Sequence, residues 1–88
     1  MVYIVTFSVN SEESRNKVRE ELKKYSSYCP IHKYCWAVET DEKSTTIRDK
    51  IKAVLQPEES VFVIRSGTEA AWYNSYGEKN NNWLKEKL

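Results

Sequence analysis

Val2-Tyr3-Ile4-Val5-Thr6-Phe7-Ser8-Val9-Asn10 reads as a central β-strand. Strand side chains alternate between faces. Val2, Ile4, Thr6 and Ser8 therefore fall on one side, and Tyr3, Val5, Phe7 and Val9 on the other. The second side is strongly apolar, and the first turns polar towards its end. A strand of this kind is covered on both faces, or nearly so. Its C-terminal end, at Ser8 and Asn10, lies just before a helix. In a small α/β sandwich that edge is a natural place for a site.

Working outward, Asn10-Ser11-Glu12-Glu13 reads as a helix start, with Asn10 as the cap and Glu13 three residues on, as in a capping box. Glu12 and Glu13 also suit the positive end of the helix dipole. The helix is expected to run to about Tyr25. Val18, Leu22 and Tyr25 form its narrow apolar stripe. The run Arg15 to Lys24 is of mixed sign and reads as a solvated face with pairs such as Glu20–Lys24. Ser26-Ser27-Tyr28-Cys29-Pro30 reads as a loop, because Pro30 rules out a regular helix.

His32 to Thr40 reads as a second strand, with Tyr34, Trp36 and Val38 on one face and Cys35, Ala37 and Glu39 on the other. Asp41-Glu42-Lys43 is a turn, and Ser44 is a suitable cap for a second helix. Ile47, Ile51, Val54 and Leu55 give that helix a core stripe. Val61 to Arg65 is a short continuous apolar run, the pattern of a buried strand, and Ser66-Gly67 breaks it. Ala70-Ala71-Trp72-Tyr73 reads as a fourth strand or a bent edge segment. Ser75 to Lys79 and the triple Asn80-Asn81-Asn82 read as a polar loop. Trp83 to Leu88 is a short tail, open to helix, whose apolar Trp83 and Leu84 are expected to dock on the sheet or on a partner subunit.

The chain has 88 residues with no break in composition, so residues 1–88 are expected to form one domain. A domain this small buries roughly 60–65% of its unfolded surface, and an apolar dimer interface would add to that. Fourteen basic residues against thirteen acidic ones leave a net charge of +1, which is no overall signal for a polyanion. No apolar run approaches the roughly 18 residues of a membrane span. No basic stretch followed by a long apolar core marks a signal peptide. Two cysteines in such a chain are expected to be reduced thiols. These points set the expectation of a cytoplasmic protein with no membrane partner.

The order of elements fits a ferredoxin-like α/β (α+β) sandwich, an antiparallel sheet with two helices on one face. Two helices cover one face only, yet both faces of the strands carry apolar residues. An identical sheet from a second subunit would cover the other face, giving a symmetric homodimer.

The stretch from Trp36 onward resembles the SinR-like branch of the CRISPR-associated protein two superfamily. The matching features are Tyr34-Cys35-Trp36-Ala37-Val38, the turn Thr40-Asp41-Glu42-Lys43, the helix motif Ile47-Arg48-Asp49 and the strand Val61-Phe62-Val63-Ile64-Arg65. Ala71-Trp72 and Trp83-Leu84-Lys85 close the pattern. The resemblance implies a ferredoxin-like fold and a homodimer with sheets packed face to face. It also implies where catalysis would sit, because nuclease members end their first strand in Tyr-Asp. Here the corresponding residues are Phe7-Ser8-Val9-Asn10, so Ser8 stands where the family Asp would be. Metal-dependent phosphodiester cleavage needs a carboxylate to hold the ion against the phosphate. Serine carries no charge, and Asn10 offers only a neutral carbonyl. The acids Glu39, Asp41, Glu42, Glu58 and Glu59 fall in turns or near a strand end.

Other chemistry is thin. Cys29, His32 and Cys35 are spaced three and three, but a structural zinc wants four ligands. A Cys–His nucleophile pair needs a third supporting group and a cleft. Trp36, Trp72, Trp83, Tyr73 and Tyr76 are candidates to stack on bases, against the plainer reading as core and interface aromatics. Lys43, Arg48, Lys50 and Lys52 are the candidate phosphate contacts on or beside the second helix. No catalytic residue, metal site or cofactor is assigned. Two function classes follow. One is a non-catalytic homodimeric module that meets nucleic acid or a protein partner in phage-defence or mobile-element biology. The other is a metal-dependent endoribonuclease or DNase, toxin-like, with an altered active site and weak magnesium binding.

Overall fold

The computed structural model describes residues 1–67, 69–73 and 77–88. Its elements are β1 Val2–Ser8, α1 Glu12–Leu22, β2 Ser27–His32, β3 Cys35–Glu39, α2 Ser44–Lys52, β4 Ser60–Arg65 and α3 Glu78–Lys87. The strands form one sheet in the order β2-β3-β1-β4, with every neighbouring pair antiparallel. The fold is a ferredoxin-like α+β sandwich with β1 inside the sheet.

The alternation along β1 divides the two cores. Tyr3, Val5 and Phe7 join Trp36 and Val38 of β3, Val18 and Leu22 of α1, and Ile47 and Ile51 of α2 in the main core. Trp36, Leu22, Ile47, Ile51, Val5, Val18 and Val38 lie among the largest fully buried side chains. Burying each of these contributes roughly 1.5–3 kcal/mol before the ordering entropy is set against it. On the other face, Val2, Cys29, Ala37 and Leu84 form a second, smaller core, with Ile4, Ile31, Trp72 and Trp83 packed around it.

The second core corrects the expectation that a partner subunit must cover that whole face. Here α3 lies across the β2–β3 half. The triple Asn sits inside this helix, although Asn is a poor helix former. Tertiary anchors override the propensity. Leu84 is fully buried, Trp83 Nε1 donates to Ser27 Oγ at 3.2 Å, and Lys87 pairs with Glu39 at 3.2 Å. Gly77 starts the helix at φ 91°, a conformation that favours glycine. The tail therefore docks on its own sheet.

Local readings differ from the structure in several places. Residues 27–32 form strand β2 rather than a loop, and the second strand is the shorter β3, joined to β2 through Lys33 and Tyr34. Pro30 excludes a helix or a central strand but is tolerated at a sheet edge, and the register shifts between Pro30 and His32. The cap of α1 is Ser11, whose Oγ accepts from the Ser14 amide at 3.1 Å, and not Asn10. The helix ends at Leu22, and Lys24 pairs with Glu21 rather than Glu20. For α2, Lys43 is the cap residue and Ser44 the first helical one. Ala70 to Tyr73 form no strand; Trp72 packs into the second core instead.

A further difference is β4. It is an edge strand rather than a buried one. Val61 and Val63 face the main core, while Phe62 and Ile64 point to the other face and remain 61% and 52% exposed. No helix among the described residues is long and apolar enough to cross a membrane.

Candidate functional site

Ser8 is exposed at the end of β1, directly opposite Ser60 of β4. Both belong to the face that α3 leaves open. Two hydroxyls supply no negative charge for a divalent ion. Asn10 follows in the loop, its backbone and side-chain N–H donors engaged and its carbonyl neutral. Its backbone N–H donates to Glu59 Oε2 at 2.8 Å, and its Nδ2 donates to Glu58 Oε1 at 2.9 Å. The second oxygen of Glu59 accepts from the Gln56 amide at 2.7 Å. The amides of Asn10 and Gln56 hold the Glu59 carboxyl below its ordinary range. The acids nearest in the loops thus tie the β1–α1 loop to the α2–β4 loop. The residues at this strand end do not fit a catalytic divalent ion.

The thiol and imidazole candidates are also apart in kind. Cys29 is buried under α3, its Sγ 3.6 Å from the Asn80 carbonyl oxygen, and burial pushes its thiol up to about 11. It therefore stays a protonated donor at neutral pH. Burial also raises Cys35. His32 is exposed opposite Cys35 in the β2–β3 hairpin. Among the described residues no group of three or more His, Cys, Asp or Glu could hold a metal ion.

The four candidate phosphate contacts do not form one surface. At about 100° per residue, Arg48 and Lys50 stand on opposite flanks of α2. Arg48 pairs with Asp49 at 2.9 Å and borders the groove beside β4. Lys50 is ion-paired to Glu42, whose other oxygen accepts from Tyr25 Oη at 2.7 Å. The Lys50 ammonium also lies 5.5 Å from the Tyr25 ring centroid. Lys50 and Tyr25 hold the Glu42 carboxyl below its ordinary range, and burial followed by the Glu42 bond raises the Tyr25 phenol. This cluster lines a hollow of about 450 Å³ with Glu21 and Lys24, but its polar groups satisfy one another. The sequence carries no signal for it, because Tyr25 and Glu42 lie 17 residues apart. Lys43 and Lys52 have no carboxylate partner among the described residues.

The aromatic candidates divide in the same way. Trp36 is buried and stacked on Tyr28 at 5.4 Å. The indole N–H of Trp72 donates to Asn81 Oδ1 at 3.2 Å, and that of Trp83 is bound to Ser27. Tyr73 alone of the described candidates is largely free, at 89% exposure. Tyr76, like Ser75 of the expected polar loop, lies outside the described residues.

The surface that the fold leaves available is the open β1–β4 half of the sheet. Ile4 faces Ile64, Thr6 faces Phe62 and Ser8 faces Ser60 across the two strands. On this face a hollow of about 210 Å³ is lined by Ile4, Ile64, Arg65, Ser66, Gly67, Glu69, Ala70 and Leu88, and a second groove of about 210 Å³ lies on the α2 side of β4 beside Ser44, Thr45 and Arg48. Sequence reasoning expected an uncovered sheet face but missed that β4 bounds it as an edge, because a continuous apolar run carries no mark of which strand lies at an edge. No family model matches this chain, and no curated protein matches it as a relative.

Proposed function

We propose that the chain is a non-catalytic homodimeric module whose working surface is the open β1–β4 half of the sheet. The observation behind this reading is the pair of exposed apolar side chains, Phe62 and Ile64, on an otherwise well-packed small domain. Exposed apolar side chains grouped on one face mark an interaction surface more often than chance. The neutral Ser8–Ser60 pair beside them supports binding rather than metal-assisted hydrolysis.

The resemblance to the SinR-like branch of the CRISPR-associated protein two superfamily supports the same assembly and supplies a setting in phage defence or mobile elements. Within that setting a nucleic-acid contact would rest on Lys43 and Lys52, since Arg48 and Lys50 are ion-paired. Such a contact is weak and strongly salt-dependent. The test is light scattering at micromolar concentration together with a cleavage assay. Twice the chain mass and no metal-dependent cleavage support the reading. A monomer, or cleavage that chelation abolishes, contradicts it.

A further inference from the structure

The two edges of the sheet are treated differently. The β2 edge carries Pro30, an irregular register after it, and α3 packed against the strand. Those are devices that blunt an edge. The β4 edge lacks the first two: Ser60–Arg65 contains no Pro and no Lys, its register with β1 runs without a shift, and the helix packed against it, α2, lies on the main-core face.

The direction of the backbone groups on β4 follows from the ladder. Ser66 N–H donates to Val2 O at 2.8 Å, and Phe7 N–H donates to Tyr34 O at 3.0 Å. Even-numbered residues of β1 therefore bond to β4, and odd-numbered ones to β3. In an antiparallel pair hydrogen-bonded positions alternate. Phe62 and Ile64 thus turn their backbone groups to β1, while Val61, Val63 and Arg65 turn theirs outward. These outward N–H and C=O groups form a template for another strand.

We infer that β4 pairs antiparallel with the β4 of a second copy, about a two-fold axis at Val63. This rests on the homodimer reading above but joins the two copies edge to edge, where the resemblance implies sheets packed face to face. In this register Val63 meets the partner's Val63, and Val61 meets the partner's Arg65. Every outward backbone group from Val61 to Arg65 is then used. A register shifted to centre on Phe62 or Ile64 leaves one of the three residues without an opposite outward residue. The side chains agree. Phe62 falls opposite the partner's Ile64, twice, on the open face, which gives cross-strand apolar pairs. Charges agree too. Arg65 has no carboxylate partner among the described residues, its Nη1 resting 3.3 Å from Met1 Sδ. The axis at Val63 sets it near the partner's Glu58 and the partner's Glu59, in the turn that precedes β4, whose carboxylates already accept from Asn10 and Gln56, so the charges are complementary without a dedicated pair. The same juxtaposition recurs at the other end of the joined strands. A single pair of six-residue edge strands is a narrow contact beside the roughly 1,600 Å² of a standard interface, and the dimer is expected to dissociate on dilution.

The experiment is analytical ultracentrifugation of the wild type and of Val63→Pro over a dilution series. It is read beside amide hydrogen exchange of the wild type at the two ends of that series. Proline removes an N–H that points away from β1, so the protomer keeps its ladder. The expected result is a wild-type dimer, a Val63→Pro monomer with unchanged circular dichroism, and amides of Val61, Val63 and Arg65 that lose protection on dilution. A Val63→Pro dimer, or those three amides unprotected in a wild-type dimer, overturns the edge pairing and leaves the homodimer standing. A wild-type monomer throughout overturns both. If Val63→Pro does not fold, exchange in the wild type decides alone.

Discussion

Ser8 of β1 stands directly across from Ser60 of β4, so the strand end where the resemblance implies a metal-binding Asp carries two neutral hydroxyls. A hydroxyl pair cannot offset the charge that a divalent ion and a phosphodiester bring together.

Purified protein is therefore expected to leave labelled single- and double-stranded RNA and DNA intact in magnesium or manganese. Ser8→Asp is expected to bind manganese weakly, because it adds one carboxylate at an exposed strand end. Wild-type cleavage that vanishes on chelation and survives further purification would show that a carboxylate set assembles there after all.

A second expectation concerns acid. The carboxyl of Glu59 is held down by the amides of Asn10 and Gln56. Its unfolded value is about 4.3. A depressed folded value means that its stabilisation is fully present above the unfolded value and is lost as pH falls through the folded one. In that window the unfolded chain binds the extra proton, so stability rises with pH. Glu59→Gln is expected to lower the melting temperature at neutral pH and to flatten the decline below about pH 4.3. An acid limb identical in the two proteins would show that the Glu59 latch contributes nothing.

The third expectation concerns α3. Leu84→Ala removes a fully buried side chain from the second core and should cost roughly 2–5 kcal/mol. Cys29 reports the same event chemically, since it sits beneath the helix with its thiol pushed up to about 11. Leu84→Ala, or truncation before Trp83, should speed its reaction with a thiol reagent. An unchanged melting curve and an unchanged rate would show that the helix is not docked.

Much of this fold is legible in residue order. The alternation of Tyr3, Val5 and Phe7 places the main core, and the spacing of Ile47 and Ile51 supplies the helix that covers it. Trp83 and Leu84 mark a docking tail even after three asparagines. What the order does not carry is which strand ends at an edge. Tyr28-Cys29-Pro30 looks like a loop because proline is excluded from helices, and edge strands are the exception. Val61 to Arg65 looks buried because apolar runs lack an alternation to read. The candidate site suffers from the same blindness. Asn10 has ordinary capping chemistry, yet it is spent on Glu58 and Glu59, 48 and 49 residues away. Lys50 looks like a phosphate contact until Glu42 and Tyr25 are seen beside it.

The most direct test of a self-associating module with its surface on β4 is sedimentation of the wild type against Phe62→Lys at matched micromolar concentrations. Phe62 is 61% exposed, so the substitution leaves the protomer core untouched. It puts a cation against the partner's apolar Ile64. The wild type should sediment at twice the chain mass and Phe62→Lys at the chain mass, with the same circular dichroism. A wild type that stays monomeric, or a Phe62→Lys protein that dimerises as well as the wild type, would contradict the assignment of this surface.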